Sequence, residues 1–334
     1  MNPRVRLGLH FALASATGSG WPEIYAGCLE QCESADAYGF FCAVVAEHHF
    51  QADGFIPSPL IICSAIAART RRLRVGTDVI PLPLQSPIDL AEDIATLDNL
   101  SHGRVVLGVG LGGREREYAA FGISFKDRRH RFEEYLGLLK RLLTEENVTH
   151  KGRYASVAGL TVMPRPVQRP RPPIWIAAGA EPSVRRAARE GDAWINRPVE
   201  SLDELKVLDA IYRQELTTHG KDWSDRERVL RRDVWIAEDD AKAWTEAAPR
   251  ILAIRHFGPD TDVLPPGATA GQVKAYARDR WIIGGPETVA DEIKRYQSVL
   301  GTTVLLAALQ HPGMDQRQVL NAVRLLGERV QPTL

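Results

Sequence analysis

The sequence has no excess of charge of either sign. Its 334 residues include 42 Lys and Arg and 42 Asp and Glu, so the formal net charge is zero. Nucleic-acid-binding proteins usually carry a basic stripe, so this balance argues against a nucleic-acid partner. No apolar run approaches the ~20 residues that a membrane-spanning helix needs. The start, MNPRVRLGLHFALA, also lacks the long apolar segment of a secretion signal. We therefore expect a cytoplasmic protein with no nucleic-acid or membrane partner.

Cysteine is also scarce. The chain has Cys28, Cys32, Cys42 and Cys63, with no C-x-x-C pair and no histidine at metal-ligand spacing from them. Cys28 and Cys32 are four residues apart and share one face of a predicted helix. We interpret all four as small apolar core residues without chemistry of their own.

The sequence does contain a regular alternation of short β-rich runs and longer amphipathic stretches. Strands are predicted at 4–11, 41–46, 73–80, 104–110, 174–178, 193–195, 230–237 and 302–309. Such alternation indicates a parallel sheet with crossover helices, so the fold class is α/β. A doubly wound sheet is the competitor. Eight units, and no G-x-G-x-x-G after the first strand, favour a closed (β/α)8 TIM barrel.

The chain is about 80 residues longer than a typical ~250-residue barrel. Since no linker divides it, we predict a single domain, 1–334, with two insertions. The stretch 149–173 holds five prolines from Pro164 onward, and no helix can run through it. The stretch 238–285 is predicted to be irregular with helical pieces and to act as a lid, from which Arg255 or His256 could reach a substrate.

The catalytic site of such a barrel lies at the carboxyl ends of its strands. The second predicted strand ends in Ala46-Glu47-His48-His49-Phe50. Adjacent residues on a strand point to opposite faces, so the two histidines are poorly placed to share a metal, and no metal site is predicted. One histidine facing the mouth would suit acid–base chemistry near neutral pH. The alternative is a structural hydrogen-bonded cluster.

Three other strand ends are notable. Gly76–Pro83 is small and polar, which would let a flat ligand approach the backbone. Four glycines lie between residues 108 and 113, but the Lys-Ser/Thr of a nucleotide P-loop is missing. The stretch 177–183 leads directly into a predicted helix, whose free amides could bind an anion with help from Ser183. Conformational roles and plain helix capping are the alternatives.

Four motifs occur in order and at consistent spacing. They are Val45-Ala46-Glu47-His48-His49-Phe50, the block from Arg74-Val75-Gly76-Thr77 through Ser101-His102-Gly103-Arg104 to Phe121-Gly122, Pro173-Ile174-Trp175-Ile176-Ala177-Ala178-Gly179, and Gly284-Gly285-Pro286-Glu287. Together they resemble the bacterial luciferase-like flavin-dependent monooxygenase family over nearly the whole chain.

The resemblance implies a barrel, usually a homodimer, that takes reduced FMN from a separate flavin reductase and uses O2 to oxidise a small organic substrate. It leaves two alternatives open. One is a hydride-transferring oxidoreductase that uses the related deazaflavin coenzyme, and the other is a flavin-binding auxiliary subunit without enzymatic activity. A metal-dependent hydrolase is a more distant alternative.

The resemblance also implies roles for individual residues. His48, with Glu47, matches the catalytic position beside the flavin. Thr77 and Asp78 fall where the family often has a non-proline cis peptide under the flavin ring. The positions expected to line the ring or bind the phosphate are Gly110, Leu111, Ala178, Gly179, Ala180 and Ser183. Some members have a basic residue in place of Leu111, and its absence here suits a flavin that arrives and leaves as a substrate.

Overall fold

The computed structural model describes residues 4–14, 20–253, 264, 267–311 and 314–334. The strands are β1 Arg6–Phe11, β2 Cys42–Val45, β3 Arg74–Thr77, β4 Ile80–Pro81, β5 Val105–Gly110, β6 Val148–Lys151, β7 Ser156–Leu160, β8 Ile174–Ala177, β9 Ala193–Ile195, β10 Glu227–Ile236, β11 Trp281–Gly284 and β12 Val304–Ala308. The helices are α1 Trp21–Ala37, α2 Pro59–Arg69, α3 Pro87–Leu100, α4 Glu115–Ala120, α5 Arg128–Thr144, α6 Glu181–Glu190, α7 Leu202–Thr218, α8 Asp240–Ala253, α9 Ala270–Ala277, α10 Pro286–Leu300 and α11 Gln316–Leu325.

Eight parallel strands close into a barrel. Their order around the ring is β1, β2, β3, β5, β8, β9, β10 and β12, and β12 pairs with β1 to close it. Helices surround this ring, so the predicted (β/α)8 barrel is confirmed, and each of its strands overlaps a predicted one. Among the described helices, none combines the length and the apolar character that crossing a bilayer requires.

Successive strand residues contribute alternately to two apolar cores. Val44, Val106, Trp175 and Leu306 pack inside the barrel. The larger core lies between the barrel and the helices and includes the strand residues that alternate with the inner ones. Three inward-facing positions near the carboxyl ends of the strands are polar instead of apolar: His10, Asp78 and Arg231. The closed apolar interior therefore ends in a polar layer at the mouth.

Capping side chains, prolines and glycines explain where helices α1 and α3 begin or end. The Ser86 hydroxyl accepts the Asp89 N–H at 3.3 Å, and Pro87 follows as the first residue of α3, as predicted. Helix α1 ends at Tyr38, after which Gly39 takes the left-handed conformation with φ of 76°. The four cysteines are buried and free, and the predicted core role of Cys28 and Cys32 is confirmed.

The first insertion, 149–173, contains no helix, and the structure describes all of it. Its first half belongs to an antiparallel hairpin of β6 and β7, which the sequence analysis did not identify. Its proline-rich second half includes cis peptides before Pro164 and Pro170 and leads back into the barrel at β8.

The second insertion, 238–285, is more regular than predicted. It contains α8 and α9, which account for the expected helical pieces, and also the unpredicted strand β11. This strand pairs in parallel with the carboxyl-terminal half of β10, where Asp233 lies opposite Trp281. Arg255 and His256 lie outside the described residues. The lid role and the single-domain division stay predictions.

Strands β3 and β5 approach each other unusually closely. A Cβ added at Gly76 would lie 1.9 Å from the Val106 carbonyl oxygen, and one at Gly108 would lie 1.9 Å from the Thr77 carbonyl oxygen. Both contacts are with backbone atoms, which cannot rotate away. Glycine is therefore required at Gly76 and Gly108 by the spacing of the two strands.

We predict that Gly108→Ala destabilises the fold by about 2–3 kcal/mol, because the new methyl group overpacks the strand pair. Gly137→Ala is the matched control. Gly137 is an exposed residue of α5 with nothing within 4 Å of an added Cβ, so the same change there should stabilise the fold by about 0.5–1 kcal/mol. Urea unfolding of both variants measures the difference. Equal stabilities would contradict the close approach of the strands.

Candidate functional site

His48 lies just beyond the end of β2, and its side chain is 30% exposed. Its Nδ1 atom is 3.1 Å from Oε1 of Glu117, a buried residue of α4. The imidazole also packs edge-on against Phe55, with ring centroids 4.8 Å apart. A residue far away in sequence therefore fixes the orientation of the ring.

Glu117 binds more than the imidazole. Its Oε1 atom also accepts the His49 N–H at 3.0 Å and lies 3.4 Å from Nε2 of Gln51. Burial raises the pKa of Glu117, but the His48 hydrogen bond, the His49 N–H and the charges of His48 and Arg114 outweigh burial and lower the pKa. An ionised carboxylate only accepts hydrogen bonds, so Nδ1 of His48 carries the proton. In the described part of the chain, Nε2 has no hydrogen-bond partner and is left for chemistry.

Glu47 and His49 form a second, separate pair. Nε2 of His49 lies 2.7 Å from Oε1 of Glu47. The same oxygen also accepts a hydrogen bond from Nε2 of Gln85 at 3.0 Å. Burial raises the pKa of Glu47, the His49 hydrogen bond opposes this, and the Glu117 charge adds to the rise. Glu47 is only 3% exposed. Of the two predicted catalytic residues, the structure thus leaves His48 accessible and encloses Glu47.

A buried charged group forms the polar layer inside the mouth. Oδ2 of Asp78 lies 3.4 Å from Nε2 of His10 and 3.8 Å from Nε of Arg231. These are ion-pair distances without hydrogen-bond geometry. Among the described residues, Oδ2 of Asp78, Nε of Arg231 and both ring nitrogens of His10 are therefore buried without a hydrogen-bond partner. Burial raises the pKa of Asp78, and the positive charge of Arg231 opposes this rise. The pKa of His10 is lowered, mainly by burial and further by the charge of Arg231. Unsatisfied polar atoms of this kind can bind the polar edge of a ligand.

The predicted position of the cis peptide was wrong by one residue. The structure places it at Asp78–Val79 and not at Thr77–Asp78. The Asp78 N–H still donates to the Val45 carbonyl at 2.9 Å, so the β2–β3 ladder continues through Asp78 and the chain turns only after it. Thr77 is fully buried, and its hydroxyl donates to the Gly108 carbonyl at 2.7 Å.

The end of β5 packs closely against this turn. A Cβ added at Gly110 would lie 2.7 Å from Cγ2 of Val79 and 3.9 Å from Cβ of Ala177. Leu111, the next residue, is half-buried, and its carbonyl accepts the Tyr118 hydroxyl. Small residues thus meet at the mouth, where a flat ring can approach the backbone.

The predicted phosphate-binding turn begins α6. Ala178 is buried, and Ala180 is the N-cap residue. The Ser183 hydroxyl accepts the Ala180 N–H at 3.3 Å and donates to the Ala180 carbonyl at 2.7 Å, so the turn itself engages this hydroxyl. Pro182 has no N–H, and the Ser183 and Val184 N–H groups both donate to the Ala180 carbonyl at 2.9 Å, so within the described residues the Glu181 N–H is the first-turn amide left for an anion.

Arg197, which the sequence analysis missed, lies against this turn. Its Nε donates to Glu200 at 2.6 Å, its Nη2 lies 3.4 Å from the Gly179 carbonyl, and its side chain is 54% exposed. A Cβ added at Gly179 would lie 2.0 Å from that Nε, so the glycine makes room for the guanidinium. Arg197 lies two residues past the end of β9, and this position after a strand is the sequence signal that could have identified it.

These residues fit a cofactor made of a flat polar ring and a phosphate. The Glu181 N–H and Arg197 suit the phosphate, and the buried polar atoms of Asp78 and Arg231 suit the polar edge of the ring. Reduced FMN and a deazaflavin both have this chemistry. Within the described residues, no group of three or more His, Cys, Asp or Glu could hold a metal ion.

A histidine and an anion site at the mouth of a barrel suit an oxidoreductase of the flavin or deazaflavin class, and comparison with known proteins gives the family. The model for luciferase-like monooxygenases matches residues 8–303, so this chain belongs to that family.

Its relatives include enzymes of two kinds. The uncharacterised protein y4vJ of Sinorhizobium fredii is 28% identical over 317 residues, which cover 92% of this chain and 90% of that protein. F420-dependent glucose-6-phosphate dehydrogenase of Kineococcus radiotolerans is 31% identical over 286 residues, or 81% of this chain and 83% of that protein. The crystal structure of monooxygenase RslO1 from Streptomyces bottropensis has a TM-score of 0.86 at 26% identity and covers 98% of this chain and 99% of that chain.

We predict opposite pH effects for the two buried glutamates. Glu117 has a lowered pKa, so the stability that its ionised form contributes is present above its unfolded pKa and lost as pH falls. Glu117→Gln should therefore cost about 1.5–3 kcal/mol at pH 7 and less at pH 4. Glu47 has a raised pKa, so its contribution is lost as pH rises. Glu47→Gln should accordingly gain stability relative to the unmodified protein as pH rises.

Urea unfolding of the three proteins between pH 4 and pH 8 measures both slopes. The two variants serve as controls for each other, since each replaces a buried carboxylate by its isosteric amide. Parallel pH dependences would contradict the opposite directions of the pKa shifts of Glu117 and Glu47.

Proposed function

We propose that this protein is a monooxygenase that uses reduced FMN and O2 to oxidise a small organic substrate. One observation carries the proposal: two features occur together at the carboxyl ends of the barrel strands. The first is an accessible imidazole that a buried carboxylate holds in place. The second is an anion site made of the α6 N-terminus and Arg197. The likeness to monooxygenase RslO1 supports the oxygenase assignment.

The anion site would hold the phosphate of FMN. The Glu181 N–H at the start of α6 offers a hydrogen bond, and the Arg197 guanidinium offers hydrogen bonds and positive charge. The neighbouring Leu111 adds no charge, so the binding energy comes from few groups. Such a site suits exchange of the flavin with a separate flavin reductase, which we propose as a partner. A homodimer is also proposed, on the family resemblance.

His48 would move a proton at the reacting centre. Its Nδ1 is committed to Glu117, so Nε2 is the atom that gives or takes the proton. When bound, reduced FMN supplies the electrons that activate O2.

A deazaflavin-dependent, hydride-transferring oxidoreductase is the second candidate. The specific observation in its favour is the 31% identity with an F420-dependent dehydrogenase over 81% of this chain. Both candidates need a ring slot and an anion site, and they differ in whether O2 takes part. Cofactor preference therefore separates them.

We predict that the protein binds reduced FMN more tightly than reduced F420 and changes the rate at which reduced FMN is reoxidised in air. Anaerobic titrations followed by stopped-flow mixing with O2 measure both quantities. His48→Ala should retain FMN binding, because the phosphate site is separate, but should lose the effect on reoxidation. Binding of F420 in preference to FMN would favour the second candidate, and binding of neither would reject both.

We also predict that Arg197→Ala weakens FMN binding by about three- to tenfold, a modest effect because the guanidinium is half exposed. Binding of riboflavin, which lacks the phosphate, should be unchanged. Arg69→Ala is the matched control, since Arg69 is 55% exposed and also paired with a glutamate, but lies at the end of α2. An equal loss of riboflavin affinity would contradict a phosphate role.

A further inference from the structure

The candidate anion site contains a buried carboxyl group. The Glu200 side chain is 3% exposed, and its Oε1 atom accepts a hydrogen bond from Nε of Arg197 at 2.6 Å. The same Oε1 would lie 2.6 Å from a Cβ added at Gly179, so the carboxyl group borders the turn that precedes α6. An anion bound at this turn therefore meets an acidic residue as well as a basic one.

The second oxygen of this carboxyl group lacks a partner. Among the described residues, Oε2 of Glu200 is buried and has no hydrogen bond. Donors nearby are used elsewhere, since Nε of Arg197 binds Oε1 and Nη2 of Arg232 binds the Glu200 backbone carbonyl at 2.9 Å. An unpaired buried polar atom is costly, and most of all when it is charged. Oε2 is thus left for a ligand at the Gly179 turn.

Three arginines contact this part of the chain. They are Arg197, Arg232 and Arg280, whose Nε donates to the Val199 carbonyl at 2.9 Å. Burial raises the pKa of Glu200, and the Arg197 hydrogen bond and the charges of Arg197 and Arg232 oppose this rise without cancelling it. The neutral acid is therefore more favoured here than in an ordinary glutamate, and only the neutral acid carries a hydrogen to donate.

The adjoining helices carry further charged groups with partners of their own. Glu181 at the start of α6 pairs with Arg185, and Glu204 in the first turn of α7 binds the Ser201 hydroxyl. These two carboxylates add negative charge around the turn, which makes a second negative charge on a bound anion harder to accommodate.

We propose that Glu200 binds the cofactor phosphate as a neutral carboxylic acid, with its Oε2 hydrogen donated to a phosphate oxygen. This inference rests on the proposed function, because it concerns the anion site for the same cofactor. The Glu181 N–H and the half-exposed Arg197 alone are few donors for a phosphate, and a neutral acid adds a third without adding negative charge. Ionised Glu200 would repel the phosphate, so the bound state holds one proton between the two groups.

The proposal gives phosphate binding a definite pH dependence. Glu200 is neutral below its pKa in the flavin-free protein and ionised above it, so FMN affinity should fall as pH rises through that pKa. A phosphomonoester in solution changes in the opposite sense, because it becomes a dianion above its second pKa of about 6 and is then attracted more strongly by Arg197. Riboflavin has no phosphate, so its affinity should not show the fall.

Fluorescence titration with oxidised FMN and with riboflavin from pH 6 to pH 9 tests the proposal. Glu200→Gln keeps Oε1 as the acceptor for Arg197 and places an NH2 donor at the Oε2 position at every pH. Glu33→Gln is the matched control, since Glu33 also binds Nε of an arginine, Arg69, but lies on α1. Retained riboflavin binding shows that each variant is folded.

From pH 6 to pH 9 we expect FMN affinity to fall by about three- to tenfold in the unmodified protein and in Glu33→Gln. In Glu200→Gln it should stay constant or rise. An FMN affinity that does not fall in the unmodified protein, or an equal fall in Glu200→Gln, would overturn the proposal and leave the proposed function standing. FMN that binds with the expected pH dependence but is reoxidised at its free rate would reject the oxygenase and leave the role of Glu200 intact.

Discussion

The buried carboxylate of Glu117 is the constraint on which the site depends. It holds the imidazole of His48, the N–H of His49 and the side chain of Gln51, so one group joins α4 to the loop after β2. Burying a charge is costly unless hydrogen bonds compensate it, and here these three groups do so. A single charge thereby determines the proton position on His48 and the path of the loop that carries Phe50.

Most of the barrel could be predicted because its strands are short apolar runs, buried on both faces and separated by amphipathic helices. The elements that were missed lack that signature. Strand β7 is largely exposed and lacks a continuous apolar run. Strand β11 is four residues long and leads directly into the Gly285-Pro286 start of α10. Their pairing is decided by tertiary contacts, which a local pattern does not encode.

The site was predictable from the sequence only where its residues directly follow a barrel strand. His48 and the Gly179–Ser183 turn follow strands directly, so barrel geometry brings them to the mouth. Glu117 is 69 residues from His48, and its short helix also carries the exposed Glu115. Nothing local distinguishes the two glutamates, and only the folded chain shows which one is buried. Arg231, similarly, becomes significant only through its contact with Asp78.

The four cysteines have a consequence for the proposed oxygenase activity. Peroxides attack the thiolate form of cysteine, and mainly where solvent can reach it. All four thiols are buried here, and burial raises the pKa of Cys32, Cys42 and Cys63. The protein therefore exposes no readily oxidised thiol to the hydrogen peroxide that reduced flavins release when they react with air.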